Sequence, residues 1–252
     1  MKSLLKRLIH NHRERELGNT GVRDIRIEVE RDGKRLLYYL ISHAWQIDGE
    51  TCQSLFLLQE PHPFDGTAIL MTEMKQSDIP KINLHLRTSK NWLQLDFERA
   101  YERILGTDFS YNDVRFWLPL EKAKDLDTTS LEFNSSIYVN YPATQAAREN
   151  LSKPYCYRVT FDQQSWIPVS ITYYNNASSP IRIFKAESLQ VIDGIWTPTL
   201  MSASIIGASS FSKMNLLDLK VGVKLDAKIF DPQSVQMLIK DFGSTWLWEM
   251  LS

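Results

Sequence analysis

Residues 106–114 read GTDFSYNDV. The stretch is dense in hydrogen-bonding side chains and opens with a glycine. It lies between a run of alternating strands and a segment of helical character, so it is either a catalytic loop or a structural corner. The residues favour the corner. Gly106 permits a positive φ or a close backbone approach. Asp108 and Ser110 can cap the helix suggested at 111–117, because their oxygens accept from otherwise orphaned N–H groups. Ser110 and Asp113 have the spacing of a capping box, and Phe109 and Tyr111 can plug the end of a sheet. As an acid or base, Asp108 or Tyr111 has no histidine, lysine or metal set near it in the chain.

On either side the sequence alternates with a period of two. Val22, Ile25, Ile27 and Val29 interleave with Arg26, Glu28 and Glu30, as in a half-buried strand over 22–30. Asp32-Gly33 turns it back into 35–46, and Asp48-Gly49 turns that into 51–59, a meander of hairpins. Further strands are expected at 67–74, 81–87, 91–97 and 131–139. The alternation resumes at 154 and continues through strands at 181–190, 195–206 and 211–223. Helical or turn-like stretches are expected at 98–105, 111–117 and 143–151. Leu4, Leu5, Leu8 and Ile9 predict an amphipathic helix over 2–16, and 232–250 reads as a docked helical tail. No linker or repeat interrupts the chain, so one domain over 1–252 is expected. Residues 36–41 and 55–58 are apolar on both faces. They read as central strands covered on both sides or, more sharply, as a curved sheet lining an apolar cavity.

The bulk numbers exclude several classes. There are 29 basic and 30 acidic residues, a formal net charge of −1, which gives no electrostatic case for nucleic acid or an anionic membrane surface. No stretch approaches the roughly 18–20 apolar residues that span a bilayer. The first residues lack the apolar core of a signal peptide. Cys52 and Cys156 have no zinc-type spacing and read as small buried hydrophobes, with a disulfide left open.

Candidate chemistry is sparse. His10 and His12 point to different faces of a helix and make a poor metal pair. His43 and His85 lie in strands, and His62 in a proline-rich loop. No zincin, serine-hydrolase, P-loop or dinucleotide motif is present. Asp96 and Glu98 read as solvated carboxylates. Lys75, Lys81, Arg87 and Lys90 around Trp92 form a basic cluster too small for a nucleic-acid module. No catalytic residue, metal or cofactor is expected.

GTDFSYNDV resembles the G-[ST]-D-F-S-Y-x-[DE] signature of the LolA-like outer-membrane lipoprotein-sorting proteins, in the branch associated with RND-type exporters. Other segments fall in the same order: PHPFDGTAILM (61–71), INLHLRTSKNWLQLDFERAYERILGTDFSY (82–111), WIPVSITYYN (166–175) and VIDGIWTPTLM (191–201). Together they cover roughly residues 22 to 230 of the chain. The departures are Asn83 in place of a tryptophan, Leu86-Arg87 in place of Leu-Pro, and Glu102-Arg103-Ile104 in place of Arg-Arg-Ile. The resemblance implies a mainly β (α+β) fold, a strongly curved antiparallel sheet forming an unclosed barrel of about eleven strands, with helices over the open side. It implies a non-enzymatic, monomeric carrier of the periplasm, its leader removed, that holds lipoprotein acyl chains or another lipid. The alternative it allows is a scaffold of the same fold, with a self-filled cavity, beside an RND-type transporter or an outer-membrane receptor. Strand parity then assigns the concave, ligand-binding lining to Leu37, Tyr39, Ile41, Leu55, Leu57, Ile69, Met71, Leu84, Leu86, Leu93, Leu95, Val169 and Ile171. The structural signature is Gly66, Gly106, Asp108, Phe109, Ser110, Tyr111, Gly194, Trp196 and Pro198.

Overall fold

The computed structural model describes residues 2–75, 77, 80–89, 91–96, 99, 101–118, 123–127, 134–140, 154 and 156–250. Helix α1 (Lys2–Glu14) leads into β1 (Thr20–Arg31), β2 (Lys34–Asp48), β3 (Thr51–Glu60), β4 (Ala68–Met74), β5 (Lys81–His85) and β6 (Leu93–Leu95). A single 3-10 turn follows at Tyr111–Val114. The second half of the sheet comprises β7 (Ala123–Asp127), β8 (Asn134–Asn140), β9 (Cys156–Asp162), β10 (Pro168–Tyr174), β11 (Pro180–Ile192), β12 (Ile195–Ile205) and β13 (Ser210–Val221). Helices α2 (Pro232–Phe242) and α3 (Trp246–Glu249) close the described chain.

The thirteen described strands form one sheet in the order β6-β5-β4-β3-β2-β1-β13-β12-β11-β10-β9-β8-β7. Neighbours pair antiparallel, and the chain's two ends meet at the β1–β13 seam. Strands β6 and β7 are the two edges, so the sheet is open. It is also strongly curved. Glu73 of β4 and Arg182 of β11, six strands apart in that order, both pair with the short segment Asp113–Arg115. With neighbouring strands roughly 4.8 Å apart, a flat sheet would hold these side chains far from one another. The architecture is the expected unclosed half-barrel, with the short β6 extending one edge.

Turn chemistry sets the hairpins. Asp32 and Gly33 both take positive φ, 51° and 72°, as do Asp193 and Gly194, 50° and 81°. Such turns match the twist of the strands they join. At the β2–β3 turn only Gly49 is positive, at 56°. Helix α2 starts at Asp231, whose carboxylate accepts from the Ser234 N–H at 2.8 Å, and ends at Gly243, whose N–H reaches the Ile239 carbonyl at 3.0 Å.

Both faces of the central strands are covered. Inside the curve, Ile25, Ile27, Tyr39, Ile41, Phe56 and Ile69 pack with Leu8 of α1 and with Ile104, Phe109, Tyr111 and Leu118. On the convex side, Val22, Ala44, Leu55, Leu57 and Leu70 pack under Ile229, Phe230, Val235, Trp246 and Leu247. The strand pairs enforce the split: Phe56 lies opposite His43 and Ile69, whereas Leu55 lies opposite Ala44 and Leu70.

Three details differ from the sequence reading. The helix suggested at 111–117 is one 3-10 turn, ended by the extended Arg115 (ψ 147°). Strand β7 had no counterpart among the expected elements. Of the strand expected at 91–97, three residues are strand among those described, Leu93–Leu95. The helix expected at 143–151 lies outside the described residues.

Candidate functional site

The GTDFSYNDV segment runs inside the curve as a plug. Asp108, Phe109, Ser110 and Asn112 are fully buried. Gly106, with φ 80°, makes the turn that directs the chain inward. The Asp108 carboxylate accepts from Ser210 Oγ at 2.8 Å and from Ser212 Oγ at 2.8 Å, which ties the plug to β13. The Asp113 carboxylate accepts from the Ser110 N–H at 2.7 Å and from Ser110 Oγ at 2.9 Å. Its remaining lone pairs take the Tyr173 hydroxyl and an Arg182 N–H, both at 2.5 Å. Arg182 also donates to Ser110 Oγ at 2.9 Å and lies over the Tyr173 ring. These groups satisfy one another, as buried polar groups must. The Tyr111 hydroxyl is pushed up to about 12 by burial and by the Glu102 carboxylate, which is unsuited to proton transfer near neutrality.

A second polar layer fastens α1. His12 is fully buried. Its Nδ1 donates to the Trp166 carbonyl at 3.0 Å, and its Nε2 accepts from the Leu118 N–H at 3.2 Å. Burial, then the Arg15 guanidinium, holds this imidazole well below the ordinary histidine value, so it is neutral. Glu73 on β4 pairs with Arg115 at 3.2 Å and accepts the N–H groups of Phe116 and Trp117. Arg15 donates to the carbonyls of His12 and Phe116. The spacing of histidines along the sequence gave no sign of this role, because Trp166 and Leu118, which the ring bonds, lie more than 100 residues away.

Between the plug and the second half of the sheet lies a cavity of about 110 Å³. Its walls are apolar side chains of β10 to β13, chiefly Ile171, Phe184, Met201 and Met214. Val114 of the plug and Phe116 and Leu118 just after it face them, with Leu17 in the link between α1 and β1. Trp196 and Pro198 of the signature line it too, and Trp196 keeps 37% of its surface exposed. Gly194 sits in the hairpin turn just before them.

The structure separates the expected lining residues. Tyr39, Ile41, Ile69, Met71, Leu95 and Ile171 belong to the concave cluster, and Leu37 and Leu84 pack against it. Of the thirteen, Ile171 alone touches the cavity. Leu55 and Leu57 are on the convex side, under the C-terminal helices. Leu93 is exposed at the edge, and Leu86 lies exposed beyond the end of β5. Val169 sits at an irregularity between Pro168 and Ser170, where the β9–β10 register shifts, and it joins no buried cluster. Sequence parity missed Phe184, Met201 and Met214, although their alternation in β11 to β13 carried the signal. Gly66, with φ 79°, approaches Ile239 of α2. Cys52 and Cys156 are free. No cluster of metal-binding side chains occurs among the described residues, and no described helix is long and apolar enough to cross a membrane. In the expected basic cluster, Lys75 pairs with Glu14 and Arg87 with Asp65.

A family whose description reads "Uncharacterized protein" matches residues 50–237. No curated protein matches in sequence. The fold is similar to that of a DUF1329 family protein from Desulfovibrio piger, at 14% identity and a TM-score of 0.77, covering 93% of this chain and 98% of that one. It is also similar to a domain from Vibrio parahaemolyticus described as a putative outer membrane lipoprotein-sorting protein, at 14% identity and a TM-score of 0.75, covering 92% and 97%. A LolA superfamily protein from Nitrosomonas europaea follows at 14% identity and a TM-score of 0.63, covering 91% and 98%. The chain belongs to the family matched over residues 50–237, and its fold is that of the LolA-like lipoprotein-sorting proteins.

Proposed function

We propose that this protein is a non-enzymatic carrier that binds acyl chains of a lipoprotein or another lipid, working in the periplasm. The observation that carries the reading is the apolar cavity between the plug and strands β10 to β13, with Trp196 and Pro198 among its lining. Removing acyl surface from water there is favourable by roughly 25 cal/mol per Å². The name of the Vibrio parahaemolyticus neighbour, which speaks of lipoprotein sorting, supports the same class. At about 110 Å³ the cavity is smaller than the roughly 300–1,000 Å³ of pockets that enclose a whole ligand. It would therefore hold part of a chain, the rest following the opening outward. The test is native mass spectrometry of protein produced in a bacterial periplasm, followed by organic extraction. A co-purifying lipid or acylated peptide supports the carrier. A bare mass that incubation with lipids leaves unchanged overturns it.

One observation favours a second reading. Leu8, Phe109, Tyr111 and Leu118 pack against the concave face from within. A protein whose cavity is largely filled by its own side chains would serve as a scaffold beside a membrane transporter, RND-type exporters included, or an outer-membrane receptor. The bare mass in the same experiment is its expected result.

A further inference from the structure

The charges around the cavity do not balance. Four guanidiniums line it or bond to residues that do: Arg15, Arg23, Arg115 and Arg182. Two carboxylates face them. Glu73 is taken by Arg115 at 3.2 Å and Asp113 by Arg182 at 2.5 Å. Arg15 and Arg23 are left over. Among the described residues neither has a carboxylate within ion-pair distance, although the Glu73 charge reaches Arg15. Burial brings both guanidiniums down to about 10. Placing an unpaired cation in such surroundings is costly, and among the described residues Arg23 meets the Trp45 ring, 5.7 Å from its guanidinium carbon, and makes one hydrogen bond.

The same corner is rich in donors and poor in acceptors. Arg23 Nε donates to His43 Nδ1 at 2.9 Å, which leaves the imidazole proton on Nε2. Among the described residues that buried Nε2 has no hydrogen-bond partner, and neither do Arg15 Nε and Trp117 Nε1. The two spare guanidiniums flank one aromatic group. Arg15 is bonded to the Phe116 carbonyl, and the Phe116 ring lies 5.6 Å from the Trp45 ring beside Arg23. The cavity thus has apolar walls of Phe184, Met201 and Met214 and a polar wall of surplus positive charge.

We propose that the ligand of this cavity is an anionic amphiphile, an acyl chain ending in an oxyanion, whose head is held by Arg23 and Arg15 and whose chain lies along β10 to β13. The inference rests on the carrier reading and narrows it, since a neutral acyl group would leave both guanidiniums unpaired. Isothermal titration of the full chain with decanoate and with decanol, at a pH where decanoate is ionised, separates the two. Decanoate is expected to bind at least about tenfold more tightly than decanol. Arg23→Gln is expected to remove that preference while decanol binding stays, and Arg23→Lys to restore much of it. Equal binding of both probes overturns the anionic head and leaves the carrier reading standing. Binding of neither overturns both. If Arg23→Gln does not fold, as circular dichroism would report, the preference of the unaltered chain still decides the matter.

Discussion

The Arg182 guanidinium and the Asp113 carboxylate, 69 residues apart in the chain, meet at 2.5 Å inside the curve of the sheet. This pair joins β11 to the plug, with Tyr173 and Ser110 completing the shell. Removing one partner leaves a buried charge uncompensated. Arg182→Met is therefore expected to destabilise the fold by about 3–5 kcal/mol. A urea melt checks this, and a loss below about 1 kcal/mol would show the network to be ornamental.

A glycine in β1 limits how closely the sheet can be packed. A Cβ at Gly21 would come within 2.2 Å of the Trp45 ring. That ring is held by its Nε1, which donates to the Gly18 carbonyl at 3.1 Å. Gly21→Ala should cost about 1–3 kcal/mol through overpacking. Gly21→Ala combined with Trp45→Phe should recover part of the loss. Thermal melts of the two variants make the comparison.

Two buried histidines make stability depend on pH. Burial and then a neighbouring guanidinium, Arg15 for His12 and Arg23 for His43, hold both well below the ordinary 6.5. They stay neutral in the folded chain where the unfolded chain takes up protons. The unfolded state then binds more protons, so stability is fully present above about 6.5 and falls as pH drops below it. Each contributes a slope of up to about 1.4 kcal/mol per pH unit. Urea midpoints taken from about pH 7.5 to about pH 5.5 should decline, and His12→Gln should make the decline shallower. A flat profile would contradict the burial of both rings.

Filling the cavity should block the ligand without destroying the fold. Met201 lines it on β12. Met201→Trp is expected to lower decanol affinity at least about tenfold while costing about 1–3 kcal/mol of stability. Titration and a urea melt of the same sample give both numbers. Unchanged decanol binding would move the acyl site elsewhere.

The sequence by itself determined the local grammar of this protein. Asp-Gly pairs fixed the turns at Asp32-Gly33 and Asp193-Gly194, since positive φ is cheap there. The spacing of Ser110 and Asp113 gave one half of a capping box, the Ser110 N–H donating to the Asp113 carboxylate, while Ser110 Oγ donates to the same carboxylate instead of capping an N–H. The order of motifs gave the half-barrel. Tertiary structure alone decided which face of an all-apolar strand looks inward. Strand β3 reads SLFLL, and nothing in five apolar or small residues distinguishes Leu55 and Leu57 from Phe56 and Leu58. That choice was made by pairing, which set Leu58 opposite Ile41 across an irregularity at Leu40/Ile41. It was confirmed by what each face meets, the plug and α1 on one side and the C-terminal helices on the other. The cavity was equally hidden. Ile171, Met201, Met214, Arg15 and Arg23 come from segments distant in sequence, and only the closing of the sheet upon its plug brings them to one space.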